Sequence, residues 1–466
     1  MRMNLVPLIA TAIVFWMGCA VVRPTDPFGN VASTSSLAKS AMMKELRFSP
    51  GDSLDLTRAI EIALASNPDV AAARWSAEAA RARFDIAAAG RLPTLDAVGG
   101  YTYNLDEQRL LPVRQQGDPT ILGREIVSGD LVVSMPLFTG GRLVSQVRAA
   151  DFLRQSADHQ AARSREELVF NVSSVFFGIL SQERLVLALE FSRGTLERHL
   201  ARVDALVAAR KAAPVDRMRT EVRLADVAQR LVRERNVLAV MRRVLVNLLA
   251  VHCSGDSLSL RGNLEMGLEA AIPDAGTTVA MALERRSDYL SARAALESQA
   301  RLVDAARAAY WPNVSLIASY GGRWATGTVA GTGNNPDDIG RVGLVFGIPL
   351  FEGGRIGAAV QAQRAELAAA RELLRKFEMQ IRLDVETALL GLQSSRERIE
   401  AMQKAVDQAR ESLRIEQQKY ELGKGAIVDV LDAQAALLES ETNYYRALAD
   451  FHTAWAQLRL AEGDES

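Results

Sequence analysis

Cysteine is almost missing from this chain: there are two in 466 residues, Cys19 and Cys253. Two thiols exclude a disulfide framework and any cysteine-rich metal knuckle. Histidine is nearly as scarce, and His159, His199, His252 and His452 follow no metal-ligand spacing. A formal net charge of −1 removes the electrostatic case for a nucleic-acid partner. There is no nucleophile elbow, cysteine pair or Walker motif, so no catalytic residue, cofactor or metal is assigned and the chain is not read as an enzyme. Proline is absent after Pro349, and each proline would have interrupted a helical ladder. Beyond the N-terminus no apolar run approaches the ~20 residues of a membrane helix. Such a chain enters a bilayer only as strands closed into a barrel.

What is present, first, is very long helix. Val360, Leu367, Leu374 and Ile381 recur every seven residues, and Val385, Leu392, Ile399, Val406, Leu413 and Tyr420 form a second series in the same step. A sustained heptad stripe means helices wound around one another with a left-handed supercoil. Gly423-Lys424-Gly425 is the one break, where the chain can reverse. At about 1.5 Å per residue the arm from Gly354 to Leu422 extends roughly 100 Å.

The chain is also written twice. Pro136-Leu-Phe-Thr-Gly-Gly-Arg142 returns 213 residues later as Pro349-Leu-Phe-Glu-Gly-Gly-Arg355. The same step carries Val215-Asp216 to Val428-Asp429 and Leu245 to Leu458. Upstream, Leu92-Pro-Thr-Leu95 pairs with Trp311-Pro-Asn-Val314 at a step of 219, so one loop differs in length by six. The copies are expected at 54–251 and 278–463, with an irregular connection at 252–277.

Each copy opens with a short helix, N-capped in the first by Asp55, and a second helix after Asn67-Pro68 or Ser287-Asp288. Alternating strands come next, near 94–104 and 128–138, then near 313–322 and 341–350. Leu95, Ala97, Gly99, Tyr101 and Tyr103 take one face, against Thr94, Asp96, Gly100, Thr102 and Asn104. Period-two patterning with aromatics toward the ends fits a transmembrane barrel strand; a water-soluble antiparallel sheet with one buried face shows the same alternation. Four strands do not close a pore alone, so the barrel reading requires oligomerisation. Long loops rich in Gly, Pro, Asn and Asp join the strands of each pair. Arms from Arg142 to Ala213 and from Arg355 to Leu422 then reverse at tips near 212–216 and 422–428 and return as helices.

The N-terminus has Arg2, an apolar run from Leu5 to Met17, then Gly18-Cys19. That reads as a signal peptide over 1–18, with Trp16-Met-Gly-Cys19-Ala resembling a bacterial lipoprotein cleavage site. On that reading Cys19 is lipidated and 19–53 is a linker; an ordinary signal peptide and an uncleaved anchor are the alternatives.

The duplicated order of strand pair, Pro-Leu-Phe-x-Gly-Gly-Arg, long helix, tip and returning helix resembles the TolC-type outer-membrane efflux channel family. The likeness spans nearly all of Leu54 to Gly463. Its most specific pieces are Leu54-x-Leu-x-x-Ala-Ile-x-x-Ala-Leu-x-x-Asn-Pro-Asp69, the two glycine turns, and Tyr420-x-Leu-Gly…Ile427-Val-Asp-Val-Leu-Asp-Ala433. With Cys19 it is similar to the lipoprotein branch. The resemblance implies a mainly α fold with a transmembrane β-barrel part, built as a homotrimer in which each protomer gives four strands and two long coiled helical hairpins. It implies a bacterial outer-membrane location in contact with lipid, and a periplasmic adaptor and an inner-membrane transporter as partners. The implied role is an exit duct of a tripartite efflux or secretion system; the alternative is an adaptor or coiled-coil scaffold lipoprotein without a pore.

Asp429 and Asp432 lie three apart on one helix face. In a threefold assembly they would form two acidic rings, which attract cations and repel anions. The other reading is that they are N-terminal helix charges favoured by the macrodipole. The resemblance assigns a periplasmic gate to Asp429 and Asp432, with Asp216 as the first-copy counterpart of Asp429. Arg219 stands where a counterpart of Asp432 would be. Lys424 is the candidate basic residue that ties the closed state. Ala212, Ala213, Pro214, Gly423 and Gly425 keep the tips small for adaptor contact. Pro136, Gly140, Gly141, Pro349, Gly353 and Gly354 are expected to turn strand into helix.

Overall fold

The computed structural model describes residues 53–103, 105, 125–211, 213–251, 259–269, 271–326 and 337–464. Cys19, Cys253, Ala212, the signal and linker segments and most of the two strand-joining loops lie outside those residues. The chain divides into a small unit, Met1–Leu54 with Ser257–Ser259, and a large one, Asp55–Asp256 with Leu260–Ser466. Of the small unit only Ser53, Leu54 and Ser259 are described. The large unit holds both copies of the repeat.

Its first copy contains α1 (Leu56–Ser66), α2 (Pro68–Ala89), β1 (Thr94–Tyr103), β2 (Glu125–Phe138), α3 (Arg142–Ala208) and α4 (Pro214–Leu249). The second contains α5 (Ala275–Arg285), α6 (Ser287–Arg307), β3 (Asn313–Thr326), β4 (Asp337–Gly347), α7 (Arg355–Glu421) and α8 (Ile427–Glu462). Asp55 caps α1 by accepting from the Arg58 N–H at 2.8 Å. Asn67 breaks the chain between α1 and α2 and caps α2 through the Asp69 N–H at 2.8 Å, with Pro68 where its missing N–H costs nothing. The irregular connection ends earlier than expected, because Asp274 starts α5 by accepting from the Gly276 and Thr277 N–H groups.

The arms α3 and α7 each have 67 residues, and α4 and α8 each have 36. The heptad positions of α7 face inward: Ile381, Val385 and Leu392 are fully buried, while Leu367, Leu374, Leu413 and Tyr420 are half-buried. One stretch of α3 is apolar enough to cross a membrane, with mean hydropathy 1.4, which corrects the expectation that no run beyond the N-terminus qualifies. Half of that stretch is buried, and Val172, Phe176 and Ile179 show why, being packed inside the helical body.

The strands form one antiparallel sheet in the order β1-β2-β3-β4. β2 and β3, from different copies, pair with Leu131 opposite Tyr320. Pro136 lies inside β2, where the register shifts between Pro136 and Phe138; a bulge is where an interior strand tolerates a proline. All ten residues of β1 are exposed, and Tyr101, Tyr103 and Tyr320 are 63%, 54% and 60% accessible. A water-soluble sheet would bury one face under helices, and this one does not. That decides between the two readings of the alternation.

Backbone geometry repeats with the sequence. Left-handed residues pair at Gly140 and Gly353, Gly141 and Gly354, Arg210 and Gly423, and Ala250 and Gly463, every pair 213 apart; among the described residues only Gly267, in the connection between the copies, has no counterpart. A Cβ on Gly140 would lie 2.5 Å from the Cβ of Trp311 and 2.7 Å from the Ala308 carbonyl, whereas one on Gly353 would meet nothing.

Candidate functional site at the hairpin tips

The two tips close identically. The Lys211 N–H donates to the Leu206 carbonyl at 2.8 Å, and Lys424 to Lys419 at 2.9 Å. Both loops are tight C-terminal motifs that need one left-handed residue, filled by Gly423 in one and Arg210 (φ 57°) in the other. Gly425 is constrained differently, its Cβ position lying 3.1 Å from the Lys419 Cβ. Ala213 caps α4 without a side-chain bond, and Pro214 begins the helix.

Asp429 and Asp432 are both on the first turns of α8 and, together with Lys424 and Gly425, line an open depression of about 650 Å³. Their surroundings differ. An Asp429 carboxylate oxygen accepts from the Ala426 N–H at 3.3 Å, an N-terminal helix contact that leaves most of its charge uncompensated. Asp432 receives the Arg223 guanidinium of α4 at 3.2 Å. With side chains 40% and 65% exposed, that pair contributes at most about 1 kcal/mol to stability in one chain. Asp216 has Arg219 at 4.0 Å. The Lys424 ammonium makes no ion pair among the described residues, so within one chain it ties nothing.

Sequence reasoning missed three participants. Arg223 is one; its only signal was the excess of eight arginines over four acids in α4. Arg202, which bonds Glu421 at 3.2 Å and links α3 to the end of α7, is another. Tyr420 is the third, placed by the sequence in the heptad series and the tip motif but given no part in the site: burial raises its hydroxyl pKa, the Asp216 charge raises it further and Arg202 opposes. A cleft of about 830 Å³ between α3, α7 and α8 carries Arg198, Arg202, Arg410 and Arg414 on its walls, with Gln434 also in its lining. His199 lines it too and is half-buried; burial and the nearby arginines lower its pKa. His159 is likewise half-buried. His452 stacks on Phe177 with ring centroids 4.1 Å apart and bonds the Leu264 carbonyl at 2.9 Å.

A duplicated pair of long hairpins and a four-stranded sheet with no helix packed on it among the described residues match a known family. The sequence profile described as outer membrane efflux protein matches residues 59–251 and 278–464. The chain belongs to that family. Both matched segments coincide with the two copies. Among relatives of the outer membrane efflux proteins, the solvent efflux pump outer membrane protein SrpC of Pseudomonas putida is 26% identical over 418 residues, covering 88% of this chain and 85% of the relative. Outer membrane protein TolC of Vibrio cholerae is 21% identical over 374 residues, covering 80% and 82%. Solved structures give the same fold. A membrane protein of Pseudomonas aeruginosa aligns with a TM-score of 0.77 at 23% identity over 88% of this chain and 90% of that one. The Vibrio cholerae outer membrane protein VceC aligns at 0.74 and 19% identity over 88% and 96%. This efflux protein therefore has the TolC-like, mainly helical channel fold and an outer-membrane location, and the pore-less adaptor reading falls away.

Proposed function

We propose that three copies of this chain assemble into one outer-membrane exit duct, which passively conducts what an inner-membrane pump delivers through a periplasmic adaptor. The observation that carries this is a set of contacts made once within the chain and lacking their repeat counterparts. β2 pairs with β3, α3 packs along α6, and α8 packs along α3. Applying the repeat to each asks for β4 against β1, α7 against α2, and α4 against α7, none of which is a packed pair among the described residues. All three would be satisfied by one neighbour placed head to tail, the arrangement that closes into a ring.

The surfaces fit. Met218 on α4 is 60% exposed, while its counterpart Leu431 is 5% exposed against α3. Trp75 on α2 is 49% exposed, while its counterpart Ala294 is 8% exposed. Met379 on α7 is 66% exposed, and its counterpart Glu166 is buried. Beside Gly140 the space is filled by Trp311; beside Gly353 it is open, and the repeat assigns it to Leu92 of the neighbouring protomer. Three chains would give twelve strands, an ordinary closed barrel; the number three comes from the family resemblance.

At the narrow end, rings of Asp429 and Asp432, with Asp216 and Lys424 nearby, form the gate, and the small tip residues Ala212, Ala213, Pro214, Gly423 and Gly425 meet the adaptor. Lipidation at Cys19 adds an anchor, each buried methylene contributing about 0.8 kcal/mol. Pump and adaptor set the substrate, since a passive duct passes what reaches it. Conductance in planar bilayers tests the assignment. The assembled protein should be cation-selective, and Asp429→Ala with Asp432→Ala should reduce that preference; unchanged selectivity would remove the gate from these residues.

A further inference from the structure

We infer that Arg223 is a specificity-determining residue of the tip: it masks Asp432, so that in this conformation the cation preference of the constriction comes from Asp429 alone. This inference rests on the gate reading and refines it.

Charge is allocated pair by pair along the tip-proximal half of α4, where each carboxylate already has an arginine of its own. Arg219 lies 4.0 Å from Asp216, and Arg230 lies 3.4 Å from Asp226. Glu221 is held by Arg217 at 3.1 Å, which also reaches Asp204 at 2.9 Å. Arg223 is the surplus cation, and it crosses to the other hairpin to reach Asp432 at 3.2 Å. Among the described residues no second basic side chain pairs with Asp432, and none pairs with Asp429. Arg223, Asp429 and Asp432 together carry one net negative charge; Lys424, unpaired among the described residues and lining the same depression, is common to every variant below and drops out of their comparison. The first copy cannot add to that negative charge, because Arg219 occupies the place of Asp432. A constriction filters by the net charge that faces it, so Arg223 sets that charge as directly as the aspartates do.

Reversal potentials of the full-length assembled protein in a potassium chloride gradient test this. Arg223→Gln should raise the potassium-to-chloride permeability ratio by roughly twofold or more, because one further negative charge per protomer, that of Asp432, is left without a partner. Asp429→Asn should lower the ratio. The double variant Arg223→Gln with Asp432→Asn should return it to the parent value, since mask and masked charge leave together. Arg223→Lys keeps the cation and should match the parent, which covers the case in which glutamine prevents assembly. If Arg223→Gln or Arg223→Lys behaves otherwise while Asp429→Asn still lowers the ratio, Arg223 has no filtering role and the gate stands. If Asp429→Asn also leaves the ratio unchanged, the gate reading fails and the masking proposal goes with it.

Discussion

Arg286→Met should lower the stability of this protein more than any substitution at the tips. Arg286 sits between α5 and α6 with 4% of its side chain exposed. Its guanidinium donates to both oxygens of Asp288, at 2.9 and 2.8 Å, and to Asp384 of α7 at 2.9 Å. Around it, Arg163 of α3 bonds Glu166 at 3.2 Å and the Leu460 carbonyl of α8 at 3.2 Å, and Ser287 donates to Glu166. One cluster therefore fastens α3, α6, α7 and α8. Removing one side of a buried ion pair costs about 3–5 kcal/mol, because the remaining charge is stranded. Asp384 is 33% exposed and Arg163 lies 3.8 Å from Asp288, so the lower end applies, about 3 kcal/mol. For a chain of this length that is a fall in apparent Tm of roughly 3–6 °C at neutral pH.

The pH dependence supplies a sharper check. Burial pushes the Asp288 carboxyl pKa up, but the hydrogen bond and charge of Arg286 more than offset it, and the group lies below its ordinary value. A depressed carboxylate adds stability that is full above its unfolded pKa, about 3.9, and lost as pH falls through the lower folded value. Without Arg286, burial would dominate and raise the group, and a raised carboxylate loses its contribution as pH rises. The gap between parent and variant should therefore narrow between pH 7 and pH 4, measured as apparent Tm at one fixed scan rate in detergent. A gap that stays constant or widens toward pH 4, or a Tm within about 1 °C of the parent at pH 7, would refute the reasoning.

The repeat itself yields two more tests. Ala250 holds a left-handed backbone (φ 50°, ψ 36°) where its counterpart is Gly463 (φ 74°, ψ 34°), so Ala250→Gly should stabilise by about 1 kcal/mol. Gly463→Ala should destabilise by more, because its Cβ would lie 2.7 Å from the backbone of Arg286; equal effects of either sign, read by denaturant unfolding, would contradict this. Met218→Asp and Met379→Asp place charges on faces assigned to the neighbour, and each should shift detergent-solubilised protein toward single chains in sizing chromatography with helix content unchanged. Intact assemblies with both variants would exclude these faces from the interface.

Much of the fold was legible because its signals are periodic. Heptad apolar positions, two glycine turns 213 residues apart and alternating strands each report a local rule, and local rules survive in one dimension. Element ends were less legible: β2 starts at Glu125 and β4 ends at Gly347, since pairing with a neighbouring strand, not alternation, sets where a strand stops. The candidate site was half visible. Asp429 and Asp432 stand in a motif, but Arg223 is 209 positions from its partner and only the packing of α4 beside α8 brings them together. The Arg286 cluster was hidden for a related reason. Its first-copy counterpart is Asn67, which bonds the Leu248 carbonyl at 3.0 Å, so the same corner is fastened by a neutral amide in one copy and by ions in the other, and the repeat does not announce it.

If the open edges of this chain meet the next copy in a closed ring of three, one cross-link reports it most directly. The pairing of Asp130 with Gly321, carried forward by the repeat, places Gly343 of one protomer opposite Thr102 of the next. Gly343→Cys with Thr102→Cys, in a Cys253→Ser background and oxidised in the membrane, should give cross-linked species of two and three chains beside unlinked single chains, with nothing larger. A cross-link that forms only within single chains, or a ladder that continues past three, would contradict the account.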